Sequence, residues 1–574
     1  MSASSRLSSL RAKLKIIGGY AMVCDALAIA AVVAALALAH LPWAALVIAW
    51  VTMVLVVAPL ISARTAKALG MSGTAIGGYT NARALVVLAS LAVHVRVGAQ
   101  VWEAVVLLIL AIFVLAERGV RKPVTSSAPV AVNVPGVSIP LPSVPLGTAV
   151  FWANTIAVFV ALALSPLQIA LWPVALVLIA ALVLFILVIT QIARYRTARA
   201  RFEENISLIV EQLAPKFAFH WQAPGGTAYQ AGMWLPYLDR IGEPYIVLAR
   251  TAVNVRELAK ITDRPIILRT ALTDLDAILC PSLTTVFYCN TATRNSHMVR
   301  FPELTHIQLN HGDSDKIASA SPVFRQFDRN FVAGQAAVDR FEAHGIETRR
   351  DQFVLVGRPQ LDGVEPARQP IREIDEPVVL YSPTWSGFYE DSDYSSLRAG
   401  TEIVEELLAR GCAVIFRPHP YARRHKKNAR ACAEIARILE EDANAHGRAH
   451  RWGPVAETEM SIFDCFNASD AMVSDVSSVV SDFLISQKPF AMAAVSSHGD
   501  DFVEEFPLSR SAYVFDVADS STHGLAAALD DMLGEDSLSE VRRAVRSHYL
   551  GDATGENCAR PFLDAARYYV DGGR

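Results

Sequence analysis

Residues 311–316, "HGDSDK", combine side chains that could carry out acid–base chemistry or hold a metal ion. Asp313 and Asp315 have the D-x-D spacing with which paired carboxylates hold a divalent cation. His311 and Lys316 form instead a base and a cation that need no metal, because an imidazole titrates near neutrality and can accept a proton from an attacking hydroxyl. His311 follows the apolar run "HIQL" and precedes Gly312, which predicts a tight turn at the end of a strand.

Two further motifs lie at predicted strand ends. In "VIFRPHP", Arg417 offers bidentate hydrogen bonds to phosphate oxygens, and the flanking prolines hold it beside His419. In "AMVSDVSSVVSDFLISQKPF", a strand and a small-residue turn lead into a helix beginning near Ser478. Free backbone N–H groups at a helix start favour phosphate. Each motif also has an ordinary structural interpretation, as a loop histidine, a proline-rich turn or a serine N-cap.

The elements that position these motifs belong to two different kinds of domain. The mean hydropathy is +0.31, yet 19% of the residues are charged, which suits neither a purely soluble nor an all-membrane protein. Apolar runs approach the ~20 residues needed to cross a bilayer. We predict six spans, paired as three hairpins, at 16–39, 41–62, 82–97, 99–117, 148–164 and 166–192. The span at 82–97 carries Arg83, His94 and Arg96, and could instead lie at the interface.

Basic residues follow the even-numbered spans and precede the first one. The positive-inside rule then places both termini in the cytoplasm. We expect the protein to lie in the plasma membrane. The run Arg194, Arg196, Arg199 and Arg201 can be a topology determinant, an anionic-lipid site, or both. A proline-rich, uncharged stretch from Pro123 reads as an extended linker.

From about residue 217, short β-rich runs alternate with helical stretches, which predicts an α/β fold with parallel strands. The segment is too long for one doubly wound domain, and "EPARQPIREIDEP" from Glu365 resembles an interdomain linker. We therefore predict a membrane domain at 1–202, a first Rossmann-like lobe at 203–370 and a second at 371–574. Their ligand should lie at the carboxyl ends of the strands.

Composition excludes some classes of function. A net charge of −4 and a pI near 6.4 give no basic field for nucleic acid. The seven cysteines are scattered without a C-x-x-C pair, which indicates reduced thiols rather than a zinc site or a disulfide framework.

Four motifs of this sequence, in their order along the chain, resemble those of the CDP-glycerol glycerophosphotransferases, the teichoic acid polymerase family. They are "HGDSDK", "YSPTW" from Tyr381, "RPHP" and "DVSS" from Asp475. The resemblance covers about residues 300–565. It implies a GT-B arrangement, no obligatory metal cofactor, a CDP-polyol donor and a lipid-linked or cell-envelope glycan acceptor. It also implies roles for individual residues: a catalytic base at His311, a second catalytic histidine at His419, and donor or phosphate contacts at Arg417, Asp475, Ser477, Ser478, Lys316 and Thr384.

This sequence departs from the family pattern at Asp313-Ser314, where the family has Thr-Pro, so acidic groups enter the region expected to face the acceptor. A second D-x-D lies at Asp391 and Asp393. We interpret both acidic pairs as loop or acceptor-region residues rather than metal ligands, because Arg417 and a helix start already supply positive charge. Two alternatives stay open: a GT-B enzyme that uses a nucleotide sugar, either a glycosyltransferase or an epimerase, and a non-enzymatic membrane scaffold.

Overall fold

The computed structural model describes residues 19–38, 41–62, 78–98, 100–167, 169–312, 314–316, 319–387, 393–518 and 521–573. The chain divides into two compact units. The first contains 1–131 and 136–205, and the second contains 132–135 and 206–574.

The first unit is helical. Its helices are α1 Tyr20–Ala37, α2 Pro42–Ile61, α3 Thr80–Arg96, α4 Val101–Ser126, α5 Val144–Leu164 and α6 Trp172–Leu213, the last of which continues past the unit boundary. Within the described residues, four stretches are long and apolar enough to cross a membrane, namely α1, α2, α5 with its 3₁₀ extension to Leu167, and α6. The prediction that α3 and α4 also span stays a prediction.

Four charged or titratable residues of α3 and α4, namely Arg83, His94, Glu103 and Glu117, are buried inside the first unit. Arg83 is fully buried and pairs with the buried carboxylate of Glu117, to which Asn154 of α5 also donates a hydrogen bond at 2.7 Å. At the other end of α3, His94 contacts Glu103 of α4 at 3.2 Å. Pairing allows these groups to lie in an apolar interior, where an isolated charge would be costly.

The second unit contains two sheets. The strands of the first sheet are β1 Ala131–Val132, β2 Phe217–Trp221, β3 Tyr245–Ala249, β4 Ile266–Leu268, β5 Thr285–Tyr288, β6 Thr305–Gln308, β7 Arg329–Val332 and β8 Phe353–Leu355. The strands of the second are β9 Val378–Ser382, β10 Ala413–Phe416, β11 Ala471–Ser474, β12 Phe490–Ala494, β13 Tyr513–Ala518 and β14 Ser521–His523. We call the parts built on these sheets the first and the second lobe.

Helices and 3₁₀ turns connect the strands. The α-helices are α7 Tyr229–Gly232, α8 Leu235–Asp239, α9 Ala252–Leu258, α10 Ser296–Val299, α11 Gln335–Ala343, α12 Gly400–Ala409, α13 Lys426–His446, α14 Ile462–Ala468, α15 Ser478–Phe483, α16 Gly499–Glu505, α17 Leu525–Leu533, α18 Ser539–Leu550 and α19 Arg560–Val570.

Both sheets are doubly wound. The first has the order β1-β4-β3-β2-β5-β6-β7-β8, and the second has the order β10-β9-β11-β12-β13-β14. The pairs from β2 to β8 are parallel, and so are those of the second sheet except β13 with β14. The central strands are buried on both faces, which explains their continuous apolar runs. The predicted fold class, a helical membrane-type part followed by two Rossmann-like lobes, is confirmed.

The last helix, α19, packs on the first lobe although it follows the second in sequence. Phe562 lies against Trp234 with ring centroids 5.3 Å apart, and Thr285 donates a hydrogen bond to the carbonyl of Tyr569 at 2.9 Å. The predicted division at residue 370 stays a prediction, and α19 shows that the first lobe also includes the distant end of the chain.

Candidate active site

The strand orders place one reversal point in each lobe, between β2 and β5 in the first and between β9 and β11 in the second. Ligands of doubly wound sheets bind at such points, outside the carboxyl ends of the strands. The predicted site residues follow these strand ends: His311 comes after β6, Thr384 after β9, Arg417 after β10 and Asp475 after β11.

A tight turn at Asn310, whose φ is 61°, presents His311. The Nδ1 atom of His311 lies 2.9 Å from the carbonyl oxygen of Cys289. Because a carbonyl oxygen can only accept, Nδ1 carries the proton and Nε2 keeps its lone pair. Burial lowers the pKa of His311, and the positive charge of Arg358 lowers it further, although the bond to Cys289 opposes the shift. His311 is therefore a neutral imidazole with a basic Nε2 at neutral pH.

His419 carries its ring proton on the other nitrogen, Nε2. The backbone N–H of Tyr421 donates to its Nδ1 at 3.0 Å, so the ring proton resides on Nε2. The ring stacks against Trp385, with centroids 6.1 Å apart and planes at 24°. Burial lowers the pKa of His419 to about 4, and nearby Lys316 and Arg424 add to the shift. His419 is therefore neutral at physiological pH and can donate a hydrogen bond from Nε2.

The first-lobe turn meets the second lobe directly. A Cβ placed on Gly312 would lie 2.8 Å from Oγ and 3.0 Å from Cβ of Ser478, so a larger residue would force the Ser478 side chain to shift. Lys316 also faces the second lobe, with Nζ 4.9 Å from the centroid of the Tyr394 ring. Burial lowers the pKa of Lys316, and the charge of Asp475 opposes this shift. The structure thus brings His311, Lys316, His419, Asp475 and Ser478 to one cleft between the lobes.

Asp475 is fully buried and binds the loops of its own lobe. Its carboxylate accepts the N–H of Thr384 at 2.9 Å, and the N–H and hydroxyl of Ser396 at 2.8 and 2.9 Å. Burial raises the pKa of Asp475 to about 6, against the effect of these donors and of Lys316. Asp475 joins β11 to the loop after β9 at the reversal point, and its predicted contact with the donor, like that of Thr384, stays a prediction.

Two further residues predicted to bind phosphate are Arg417 and Ser477, and the structure shows what surrounds each of them. Nη1 of Arg417 donates to the carbonyls of Ala456 and Met460, the latter at 2.7 Å, and thereby fixes the turn that precedes α14. Ser477 stands at the N-cap of α15, and its Oγ is buried and has no hydrogen-bond partner among the described residues. Their predicted contacts with the donor, and that of Ser478, remain predictions.

The structure describes one member of each acidic pair, Asp315 and Asp393. Asp315 accepts hydrogen bonds from Arg340 at 3.0 Å, from the backbone of Leu508 at 3.0 Å and from the Tyr549 hydroxyl at 2.9 Å. It joins both lobes and α18 instead of facing a ligand. Asp313 and Asp391 lie outside the described residues, and within those residues no group of three or more potential metal ligands occurs.

Sequence reasoning missed a buried ion pair across the cleft. Nε and Nη2 of Arg358, in the loop after β8, donate to Oδ1 and Oδ2 of Asp482 at 2.8 and 3.1 Å. Both side chains are almost inaccessible, at 7% and 11% exposure. Asp482 lies on α15, the same short helix that begins at Ser478, so the pair fixes that helix against the first lobe. The strand-end sequence "VGRP", similar in form to "RPHP", was the available signal.

Two doubly wound lobes, each with its predicted site residues after the carboxyl ends of its strands, define the class as a two-lobed, GT-B-like fold. Residues 288–499 match the family described as CDP-Glycerol:Poly(glycerophosphate) glycerophosphotransferase. This match confirms the resemblance and the enzyme class predicted from the motifs.

Three solved structures to which the chain is similar are a glycosyltransferase, MnaA and a wall teichoic acid polymerase. A glycosyltransferase from Rickettsia africae ESF-5 has 13% identity and a TM-score of 0.39, covering 62% of this chain and 99% of its own. MnaA from S. aureus, in a co-structure with UDP, has 12% identity and a TM-score of 0.40, with coverages of 62% and 96%. The wall teichoic acid polymerase TagF has 12% identity and a TM-score of 0.39, with coverages of 66% and 96%. No curated protein matches the chain.

Proposed function

We propose that the protein transfers a polyol phosphate, of the glycerol phosphate type, from a CDP-activated donor to a hydroxyl of a lipid-linked or cell-envelope glycan acceptor. The observation that carries this proposal is the opposite protonation of His311 and His419 within the glycerophosphotransferase segment. One imidazole can take a proton while the other can donate a hydrogen bond.

In the proposed reaction, the acceptor hydroxyl attacks the donor phosphorus that bears the polyol. A new oxygen–phosphorus bond forms, the bond between that phosphorus and the bridging diphosphate oxygen breaks, and CMP leaves with the bonding electron pair. The hydroxyl proton passes to Nε2 of His311 and from there to solvent. The product is a phosphodiester, and no covalent enzyme intermediate is needed.

The second lobe and Lys316 supply the electrostatic part of the catalysis. Negative charge develops on the bridging oxygen as CMP departs, and preorganised donors stabilise such charge in a site that excludes water. His419 offers its Nε2–H, Lys316 its ammonium group, and Arg417 the part of its guanidinium that does not bind the α14 turn. Asp475 acts through the loops that it orders, and Ser477 and Ser478 adjoin the donor phosphates.

The same cations make a metal unnecessary in this proposal. Asp315, which a metal-dependent mechanism would require as a ligand, already accepts three protein hydrogen bonds. We expect CMP release to persist in EDTA. Complete loss in EDTA, restored by magnesium or manganese, would favour a metal held by the acidic loop.

The proposal places the enzyme at the cytoplasmic face of the plasma membrane. Four helices suited to crossing a bilayer support membrane association, and a membrane-held enzyme meets a lipid-linked acceptor without free diffusion of either.

The deciding experiment incubates the purified full chain with CDP-glycerol or CDP-ribitol and membrane lipids, and follows CMP release together with phosphodiester formation. UDP-sugars form the parallel arm. Release of CMP with either polyol supports the proposal and identifies the donor. UDP release with sugar transfer would establish the glycosyltransferase alternative, and absence of turnover with all donors would favour a scaffold.

A further inference from the structure

A cavity of about 330 Å³ lies in the first unit, between the end of α4 and the middle of α6. Its polar lining consists of Ser126, Ser127, Tyr195, Arg196, Arg199 and Glu203. The hydroxyl of Tyr195 bonds both the N–H and the carbonyl of Ala128, at 3.3 and 3.1 Å, and so fixes one wall. The transfer reaction makes no use of this cavity.

The position of the cavity along α6 corresponds to the headgroup layer of a bilayer. From Trp172 to Ile192 the helix rises about 30 Å, the thickness of a hydrocarbon core. Large apolar side chains are exposed along this stretch as far as Ile189, and the next one on α6 is Leu208. Arg196 and Arg199 lie about 6 and 10 Å beyond Ile192, where phosphate groups of lipids are found.

The charges of the cavity are incompletely compensated. Arg196 has no ion-pair or hydrogen-bond partner among the described residues. Arg199 approaches Glu203 only at 3.9 Å. Two guanidinium groups and one carboxylate leave a net positive charge in a recess bordered by the apolar cluster of Val188, Ile192 and their neighbours. A ligand with one negative charge, a hydroxyl donor and apolar chains would satisfy all three features.

We propose that this cavity binds the headgroup of an anionic glycerophospholipid of the phosphatidylglycerol type. Arg196 and Arg199 hold the phosphate through charge-assisted hydrogen bonds, and Glu203 accepts a hydrogen bond from a headgroup hydroxyl. The acyl chains extend along the lipid-facing side of α6. A bound lipid of this kind fixes the depth of α6 in the membrane more sharply than arginines without a defined lipid site would.

Native mass spectrometry of the full chain, released from mild detergent, tests the proposal with phosphatidylglycerol, phosphatidylethanolamine and phosphatidylcholine. We expect one phosphatidylglycerol per chain, bound about tenfold more tightly than phosphatidylcholine. Arg196→Gln or Arg199→Gln should weaken this binding about tenfold, as expected for loss of a charge-assisted hydrogen bond. Arg194→Gln and Arg201→Gln are matched controls, because both arginines are on α6 but neither lines the cavity. They should change binding less than twofold.

Three results would overturn the proposal. An equal loss of phosphatidylglycerol binding in the control variants would mean that the arginines of α6 attract lipid without a defined site. Equal retention of phosphatidylethanolamine would contradict selection by net charge. Displacement of the lipid by sn-glycerol 3-phosphate at matched concentration would assign the cavity to a soluble phosphate. Arg196→Lys keeps the charge and should retain most of the binding, which separates loss of the site from loss of folding; circular dichroism checks the helix content of each variant.

Discussion

At the scale of single residues, the cleft uses hydrogen bonds to the backbone to fix where each imidazole carries its proton. The carbonyl of Cys289 selects one tautomer of His311, and the N–H of Tyr421 selects the other tautomer of His419. Neither assignment depends on a second titratable side chain. The two histidines are therefore not interchangeable, although both are neutral and largely buried.

Replacing His311 by alanine should abolish transfer with little effect on donor binding. A base acts only in the transition state, so turnover should fall about 100- to 10,000-fold. His419→Ala, by contrast, should weaken CDP-polyol binding, because hydrogen bonds to phosphate exist in the ground state. Calorimetric titration and CMP-release rates measure the two effects, with the exposed His446→Ala as control. Wild-type turnover in His311→Ala would make "HGDSDK" a structural loop.

The ion pair of Arg358 and Asp482 should control the pH dependence of turnover. In the proposed reaction the base form of His311 is the active one, so activity should fall as pH drops through its pKa, which burial and Arg358 hold below the usual value. Arg358→Gln removes a positive neighbour and should move the acidic limb of the kcat profile to higher pH. Asp482→Asn removes the negative charge that faces Arg358 and should move the acidic limb to lower pH.

These two substitutions break the same ion pair, so simple disorder of α15 would affect both variants alike. Opposite displacements of the acidic limb therefore identify an electrostatic effect on His311. Displacements in one direction for both variants would contradict it.

At the scale of elements, the cleft depends on contacts between turns rather than on the strands themselves. Gly312 allows the turn after β6 to touch the first residue of α15, and Asp475 holds the loop after β9. Each contact joins segments that are distant in sequence, so the geometry of the cleft depends on the packing of both lobes.

Gly312→Ala should separate these turns. Its Cβ would overlap Ser478, and overpacking typically costs about 1–3 kcal/mol. Amide hydrogen exchange at residues 309–312 and 477–483 should show easier opening by that amount. Adding Ser478→Gly removes the overlapping atoms and should restore protection. Gly363→Ala, where the added Cβ meets nothing within 4 Å, is the control. Unchanged protection in Gly312→Ala would mean that the contact is not maintained in solution.

Strand ends and motif order were predictable because buried parallel strands and their crossovers leave periodic patterns in sequence. The partners of the motif residues were not. Asp315 has the spacing of a metal ligand, yet its contacts lie 25 residues away at Arg340 and 234 away at Tyr549. Arg417 has the form of a phosphate ligand, and part of its guanidinium binds carbonyl groups. The partner of each such residue depends on which distant atoms the packing of the chain brings near it, and a local sequence pattern does not predict that.

At the scale of the whole molecule, two units with different physical chemistry share one chain. The second is held by apolar strands buried on both faces, whereas the first has a polar centre within apolar helices. Arg83 and Glu117 form this centre, together with Asn154 and Thr155.

Removing one member of the centre should destabilise the first unit. Glu117→Gln leaves the buried charge of Arg83 uncompensated and should lower stability by about 3–5 kcal/mol. The double variant Arg83→Met, Glu117→Leu removes both charges and should recover most of this loss. Thermal unfolding of the full chain in detergent measures both. Arg118→Gln, which changes an exposed neighbour, should have little effect; a loss equal to that of Glu117→Gln would indicate general sensitivity of α4.

The orientation of the first unit can be tested independently. Arg121 and Lys122 lie near the end of α4, and the arginines from Arg194 to Arg201 follow the apolar stretch of α6. We therefore expect that end of the first unit to face the cytoplasm. Protease added to sealed inside-out vesicles should cleave near residue 205. Cleavage only in right-side-out vesicles would reverse the topology.

The packing of α19 on the first lobe also has a consequence for biosynthesis. Thr285 binds the carbonyl of Tyr569, 284 residues later. At about 5–20 residues per second, roughly 15–60 s separate the synthesis of these two residues. Throughout that interval the membrane helices have already emerged, while the first sheet lacks the helix that covers Phe331 and Trp234. The nascent chain therefore exposes an apolar surface while it is still on the ribosome. A general chaperone that shields such surfaces should bind the nascent chain until α19 has been made.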